Sequence, residues 1–575
     1  MLRIRSLAAA LAGLAFAAAP ASALPPIYDR VPAEAVVVVS TQNLGDVDRA
    51  VTQMFGAVEL PALATPSELL RRIGLGEAVD LTKPAALALM PGDLEADVPP
   101  AVLLLPTTNF AEMMNALGGR ADGAVFTFDA PTGETLFARS GDGGYAVVGM
   151  DRELVAAVDG RGGNAGAHAA HVGPVGRDAV EGAQLAVLIK KPMLDLLREQ
   201  IEGGMQETLE GMAMFAPEGQ AEQMRAQAEM FASLIDTAFT QGQDLALTLD
   251  AGASGVSVDM AMDFTPGSDL AGLFEKGGDS SRFLAALPNQ PFLLAYAVDY
   301  TTPVARRFLD QMADAGVNPL MPGVGGEGFA EIIDQARGQS YAIYKSPGGL
   351  MGGLLANSAG YFAAANPAEA LAGVRDVMKN NAAAMDGFSL NYEPNAAEVD
   401  GVSADSWSAS FEGLANAGED PMAGAMVQQF MTMLFGPSGP GGYVAPAGNG
   451  LYMTLGLNSR LLSQCFNAEK GQGSLRENRG YAMVAERLPA DRAGELYVGV
   501  GPILEQALQL AAMFGAPVAV DLPPALPPIG MAVTTGRGGT LGRIFVPAPV
   551  IKVAGQLAQQ ADGMMNQGAD DAPPF

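Results

Sequence analysis

The chain has 575 residues, 49% of them hydrophobic and 17% charged, which is enough apolar surface for roughly two to four packed cores and excludes an intrinsically disordered chain. Its 63 acidic side chains against 33 basic ones give a formal net charge of −30, so the surface as a whole repels nucleic acid and anionic lipid headgroups. A single cysteine, Cys465, excludes an intramolecular disulfide.

Residues 1–23 have the layout of a signal peptide. Arg3 and Arg5 precede an apolar Ala/Leu-rich run over 7–20, and Ala21-Ser22-Ala23 supplies a small-x-small cleavage site. Cleavage after Ala23 predicts an exported protein, periplasmic or extracellular. No cysteine near the cleavage site offers a lipid anchor. The nearest later apolar run, 350–365, is broken by Gly352, Gly353, Asn357, Ser358 and Gly360, so no transmembrane segment is expected after cleavage.

The first predicted unit covers 24–164. A valine-rich strand over 35–40 leads into a helix over 44–55. Thr65-Pro66-Ser67-Glu68 is a capping box with proline at the first helical position, and its helix stops at Gly74. Strands follow over 85–90 and 101–105, then a helix capped by Asn109, short strands over 125–129, 135–140 and 145–150, and a helix over 152–158. The strand–helix–strand–strand–helix–strand order over 35–129 suits a ferredoxin-like layout.

A second unit over 177–276 reads as a helical hairpin plus a β-hairpin. A third over 282–414 and a fourth over 421–565 return to α+β patterning, and 566–575 reads as a disordered tail. Linkers are expected at 165–176, 275–281, 319–328, 415–420 and 436–448, where Gly, Pro and small residues lack periodicity. Three pieces recur: a strand running into a helix (36–54, 185–201, 292–312, 496–513), a Gly-led strand entering a helix (from Gly144, Gly360 and Gly450), and a hairpin followed by a helix (from Leu245 and Met531). The fold class is therefore α+β, with antiparallel or mixed sheets covered by helices in two to three degenerate related units.

Candidate chemistry is sparse. His168 and His171, the only histidines, sit in a Gly/Ala-rich stretch that reads as an exposed linker; no further ligand accompanies them, and no GxSxG elbow or HExxH exists. Gly323–Gly328 matches GxGxxG but lacks the preceding strand that a dinucleotide site needs. Asp93, Glu95 and Asp97 read as a solvated loop, Trp407 as a core anchor on an alternating strand, and Cys465 as a small buried hydrophobe. No catalytic residue, metal ligand or cofactor is assigned. The 29 methionines are the one compositional excess. Met205, Met212, Met224, Met230, Met422, Met426 and Met433 lie at helical spacing among Leu, Phe and Ala, where flexible thioethers can fill a core or line an apolar pocket.

The opening LPPIYDRVPAEAVVVVSTQNLGDVDRAV, the GYAVVGMDRELVAAV-type segments and the closing LPPIGMAVTTGRGGTLGRIFVPAPVIKVA resemble large exported bacterial proteins classed only as a domain of unknown function. That resemblance implies no activity and no site residues. Three readings stand: a non-enzymatic exported protein binding an apolar small molecule or a protein partner, a scaffolding component of the cell envelope, and a hydrolase built on two carboxylates.

Overall fold

The structure is a computed structural model and describes residues 24–59, 65–72, 75–92, 100–130, 133–198, 232–233, 235–314, 329–381, 389–410, 421–513, 522–523 and 525–570. It is an α+β fold with extensive antiparallel sheet. The chain divides into two compact units, the first made of 1–52, 63–250 and 259–271, the second of 53–62, 251–258 and 272–575.

In the first unit the strands are β1 (Val37–Thr41), β2 (Ala85–Leu89), β3 (Ala101–Pro106), β4 (Arg120–Asp122), β5 (Val125–Asp129), β6 (Thr135–Gly141), β7 (Tyr145–Gly149), β8 (Leu185–Lys190) and, apart from their hairpin end over 251–258, β9 (Gly242–Gly252) and β10 (Gly255–Phe264). Their spatial order is 4-5-6-7-3-2-1-8-9-10, and every register is antiparallel from β4 through β9.

The second unit is built from β11 (Phe292–Val298), β12 (Ala336–Tyr344), β13 (Ser358–Ala364), β14 (Ser389–Val399), β15 (Val402–Ser410), β16 (Gly441–Ala447), β17 (Gly450–Leu455), β18 (Arg492–Val498), β19 (Ile529–Gly536) and β20 (Gly539–Pro547). Their order is 14-15-16-17-13-12-11-18-19-20, again antiparallel throughout. Strand for strand this is the topology of the first unit.

Burial tests the equivalence independently of topology, because side chains alternate faces along a strand. Matching Val37 to Leu294 and following the registers outward pairs the most buried positions of one unit with those of the other. Val38 matches Ala295, Ala88 matches Ala342, Val102 matches Ala359 and Leu188 matches Tyr497, all 0% exposed. Two copies of one topology thus bury the same face, although their side chains there differ.

The second unit has helices on both faces of its sheet. One core joins Ala295, Ala342, Tyr452 and Tyr497 to Phe283, Leu462, Phe466 and Val484; the other joins Phe362 and Leu451 to Leu309, Ile332 and Val377. The local caps are those the sequence encodes. Thr65 and Glu68 bond each other's backbone N–H at 3.3 and 3.4 Å, Asn109 accepts from Ala111 and Glu112, and Asn458 accepts from Leu461.

Several expectations are corrected. A ferredoxin-like layout would set the first strand beside a parallel partner across a helix, whereas β1 lies between β2 and β8, both antiparallel. Strands expected in separate segments, 24–164 and 177–276, share the first unit's sheet through the β1–β8 pairing. Residues 165–176 are no linker: helices Ala165–Ala169 and Pro174–Gly182 occupy most of them. Within 436–448, residues Gly441–Ala447 form β16, hydrogen-bonded on both sides.

Candidate functional site

The second unit holds an open cleft of about 640 Å³, within the range typical of small-molecule sites. Its floor is apolar and buried, made by Phe283, Ala286, Tyr361, Ala363, Ala364 and Ala468. Its rim carries Arg282, Arg337, Arg476, Glu469 and Glu477. Arg282 is fixed from below: its Nη2 donates to both carboxylate oxygens of buried Asp299 at 3.1 Å, and its guanidinium lies 4.6 Å from the Phe283 ring centre. Glu477 is also engaged, since its Oε1 accepts from the backbone N–H groups of Gly473 and Ser474.

The first unit shows how this place looks when filled. Ile27, Tyr28 and Val31 match Phe283, Leu284 and Leu287 in burial, with Pro32 matching Pro288, so Asp29 and Arg30 correspond to Ala285 and Ala286. Register matches Pro106–Tyr145 to Ala363–Gly450. In the first unit the Arg30 guanidinium lies 5.0 Å from the Tyr145 ring centre and donates to the carbonyls of Asp142 (2.8 Å) and Gly160 (3.1 Å). Asp29 accepts from the Gly163 N–H at 2.7 Å. In the second unit alanines replace the Asp–Arg pair and Gly450 replaces the tyrosine. Only glycine fits at 450, because a Cβ there would stand 2.3 Å from the Phe362 carbonyl and 2.8 Å from the Tyr361 ring. At the cleft the Asp29–Arg30 pair of the first copy is replaced by two alanines, while the Tyr361 ring takes the space that a side chain at 450 would enter.

The first unit has its own buried polar group. Asp244 and Asp263 are 0% and 1% exposed and cap the helix Pro174–Gly182. Asp244 Oδ2 accepts from the Gly173 N–H at 2.7 Å, and Asp263 accepts from the N–H groups of Val175 (3.1 Å) and Gly176 (2.6 Å). A Cβ on Gly176 would fall 2.6 Å from Asp244 Oδ1 and 3.1 Å from Asp263 Oδ2, so glycine allows this approach. Asp244 Oδ1 has no hydrogen-bond partner. Burial first, and the Asp263 charge second, push the Asp244 carboxyl up to about 8. Paired carboxylates do converge here, but in a closed interior against a helix N-terminus, where their work is capping.

Two buried bases lie nearby in the fold. Lys190 donates to the Ala33 carbonyl at 2.9 Å, and burial lowers it to about 8. His168, expected on an exposed linker, is fully buried: Nε2 lies 3.0 Å from the Val31 carbonyl and the ring meets Tyr28 edge-on at 5.6 Å, whereas His171 is exposed. The second unit instead buries an ionic network. Arg492 donates to Glu495 (2.5 Å) and Tyr497 (3.0 Å), Tyr497 donates to Glu495 (2.8 Å), and Ser280 donates to the other Glu495 oxygen (3.1 Å).

Of the methionines expected to line a pocket, Met205, Met212, Met224 and Met230 lie outside the described residues. Met422 and Met426 fall on the helix Pro421–Phe435, where only the backbone at those positions is described, and Met433 on the same helix is 42% exposed. None of the seven is among the described residues lining the cleft. The acidic loop 93–97 and the glycine run 323–328 also lie outside the described residues. Trp407 and Cys465 are both buried, and burial pushes the Cys465 thiol well above its ordinary value, so it stays protonated. The cleft residues escaped the sequence reading. Their only signal, Asp29-Arg30 against Ala285-Ala286, becomes visible once the two copies are in register.

Among the described residues no group of three or more His, Cys, Asp or Glu side chains could hold a metal ion, and no helix is long and apolar enough to cross a membrane. No protein-family model matches the chain, and no curated protein matches it. Among solved structures, crystal forms IV and I of TP0453 are similar over 43% of this chain, covering 83% and 82% of those chains, with TM-scores of 0.21 and 0.22 and identities of 11% and 9%.

Proposed function

We propose that this chain is an exported, non-enzymatic binding protein and that the cleft of the second unit holds a small amphiphilic molecule. The observation that carries this reading is the selective emptying of the cleft in one of two copies of the same topology. Folding alone does not require that void, since the first copy has Asp29 and Arg30, both hydrogen-bonded within their own unit, at the positions matching Ala285 and Ala286. An apolar buried floor beneath a polar rim suits a ligand with an apolar body and a polar end. The charged N-terminal segment, apolar run and small-residue cleavage site of 1–23 support export.

The test copies the first unit into the second. The mature chain is titrated with a neutral naphthylamine probe, in parallel with an Ala285→Asp/Ala286→Arg variant. The variant is expected to lose at least about tenfold in affinity while keeping its far-ultraviolet circular dichroism. Absence of binding by the unaltered chain, or equal binding by the folded variant, overturns the reading. Export is checked by the mass of the protein in the extracytoplasmic fraction, which should begin at Leu24.

A further inference from the structure

Resting on that reading, we infer that the ligand carries an anionic headgroup, held at the cleft rim by Arg337 and Arg476. The inference comes from comparing the ion pairs of the two units. Lys83 in the first unit corresponds to Arg337 in the second, and Asp80, three residues before Lys83, corresponds to Asp334. Lys83 is neutralised locally by Asp80 at 3.3 Å. In the second unit Asp334 is taken by Arg306 at 2.8 Å, and Arg306 also binds Asp310 at 2.9 Å. Arg337 is thereby left without a carboxylate; its Nη1 donates to the carbonyl of its own neighbour, Ala336, at 3.1 Å.

Backbone geometry turns this side chain to the rim. The register between β12 and β13 slips between Ala336 and Gly338, so Arg337 is the unpaired residue of a bulge, a device that re-aims a side chain. Arg476 lines the same cleft from the short turn Leu475–Glu477, where Glu477 accepts from backbone N–H groups. Among the described residues neither Arg337 nor Arg476 is in an ion pair. Arg282 is already matched by Asp299, and the rim's two carboxylates, Glu469 and Glu477, form no ion pair with Arg337 or Arg476. The rim thus holds two guanidiniums in no ion pair and two carboxylates, one of them tied to backbone N–H groups, in a chain whose formal net charge is −30. Guanidinium groups favour carboxylate, phosphate or sulfate over neutral ends, because their planar donors match those oxygens.

The experiment uses decyl amphiphiles that differ only in their ends, each below its micelle concentration: decyl phosphate, decanoate, decylphosphocholine, decyltrimethylammonium and decyl maltoside. Inorganic phosphate alone is a further arm. The anionic members are expected to bind at least about tenfold more tightly than the others, and to weaken as salt rises from about 50 to 500 mM. An Arg337→Gln/Arg476→Gln variant should lose that preference while decyl maltoside binding stays unchanged. Equal binding of all ends, a cationic preference governed by Glu469, or an anionic preference that survives in the variant overturns the inference and leaves the binding reading intact. Failure of every decyl compound to bind overturns the binding reading itself. Tight binding of inorganic phosphate without a tail would show that the floor is not used, and so would overturn the amphiphile.

Discussion

The first and second units lay ten strands in the same order, yet they fill the same inner face with different chemistry. Where the first has Ala186 and Leu188, the second has Glu495 and Tyr497, tied to Arg492 and Ser280. Where the first packs Arg30 on Tyr145, the second has Ala286 and Gly450 and an open cleft. Alternation of buried and exposed positions is what the topology needs, and both copies keep it. The identity of the buried side chain is freer, since a core accepts different fillings of similar total volume. That freedom let one copy close the space over β3 and β7 while the other left the matching space over β13 and β17 empty.

The largest test of this contrast is Glu495→Ala, which gives the second unit the residue of the first. The substitution leaves Arg492 buried and unpaired, and should destabilise the second unit by about 3–5 kcal/mol, read by unit-resolved hydrogen exchange. If the loss is shared equally by the first unit, the two do not respond as separate cores. The first unit should show a pH dependence that the second lacks. Asp244 has its carboxyl raised from 3.8 to about 8, so the folded state holds a proton that the unfolded chain releases. Its contribution is fully present below about pH 4 and is lost as pH rises through about 8, at a slope near 1 kcal/mol per pH unit. Exchange of the helix Pro174–Gly182 should therefore speed up between pH 5 and 8, and Asp244→Asn should flatten the profile. An unchanged slope in that variant would assign the effect to another group.

Smaller effects should be the same in both units. Asn109→Ala and Asn366→Ala remove equivalent helix caps, each side chain accepting from two backbone N–H groups at the start of the helix after β3 or β13, and each should cost about 1 kcal/mol in a denaturant titration. Unequal losses would show that the caps are coupled to different surroundings. Least of all, Arg152→Ala breaks an ion pair with Asp122 whose side chains are 48% and 69% exposed. It should change stability by less than about 1 kcal/mol, and the change should fade in salt.

Much of the fold could be read before the structure. Thr65 with Glu68 and Asn109 cap the helices they were expected to cap, and the Val run and the recurring Gly-led strands form β1, β7, β13 and β17. These signals are local: a cap bonds an N–H two or three residues on, and strand alternation repeats every second residue. The ferredoxin-like order failed because strand pairing is not local. Nothing in 35–41 announces that its second neighbour lies at 185–190. His168 was misread for the same reason, since the carbonyl that buries it belongs to Val31, far away in the chain.

Composition and local pattern by themselves determined the class of the fold, its helix starts, the absence of disulfides and the layout of the N-terminal segment. Each of these depends on residue type or on neighbours within one turn. Only the tertiary structure decided that the strands form two copies of one order, that Asp244 and Asp263 meet at one helix end, and that Arg337 is left without its carboxylate. Those outcomes depend on which distant segments share a sheet. The cleft is the clearest case, because it lies where Asp29 and Arg30 of one copy are replaced by Ala285 and Ala286 in the other. No stretch of sequence carries that difference until the fold sets the two places side by side.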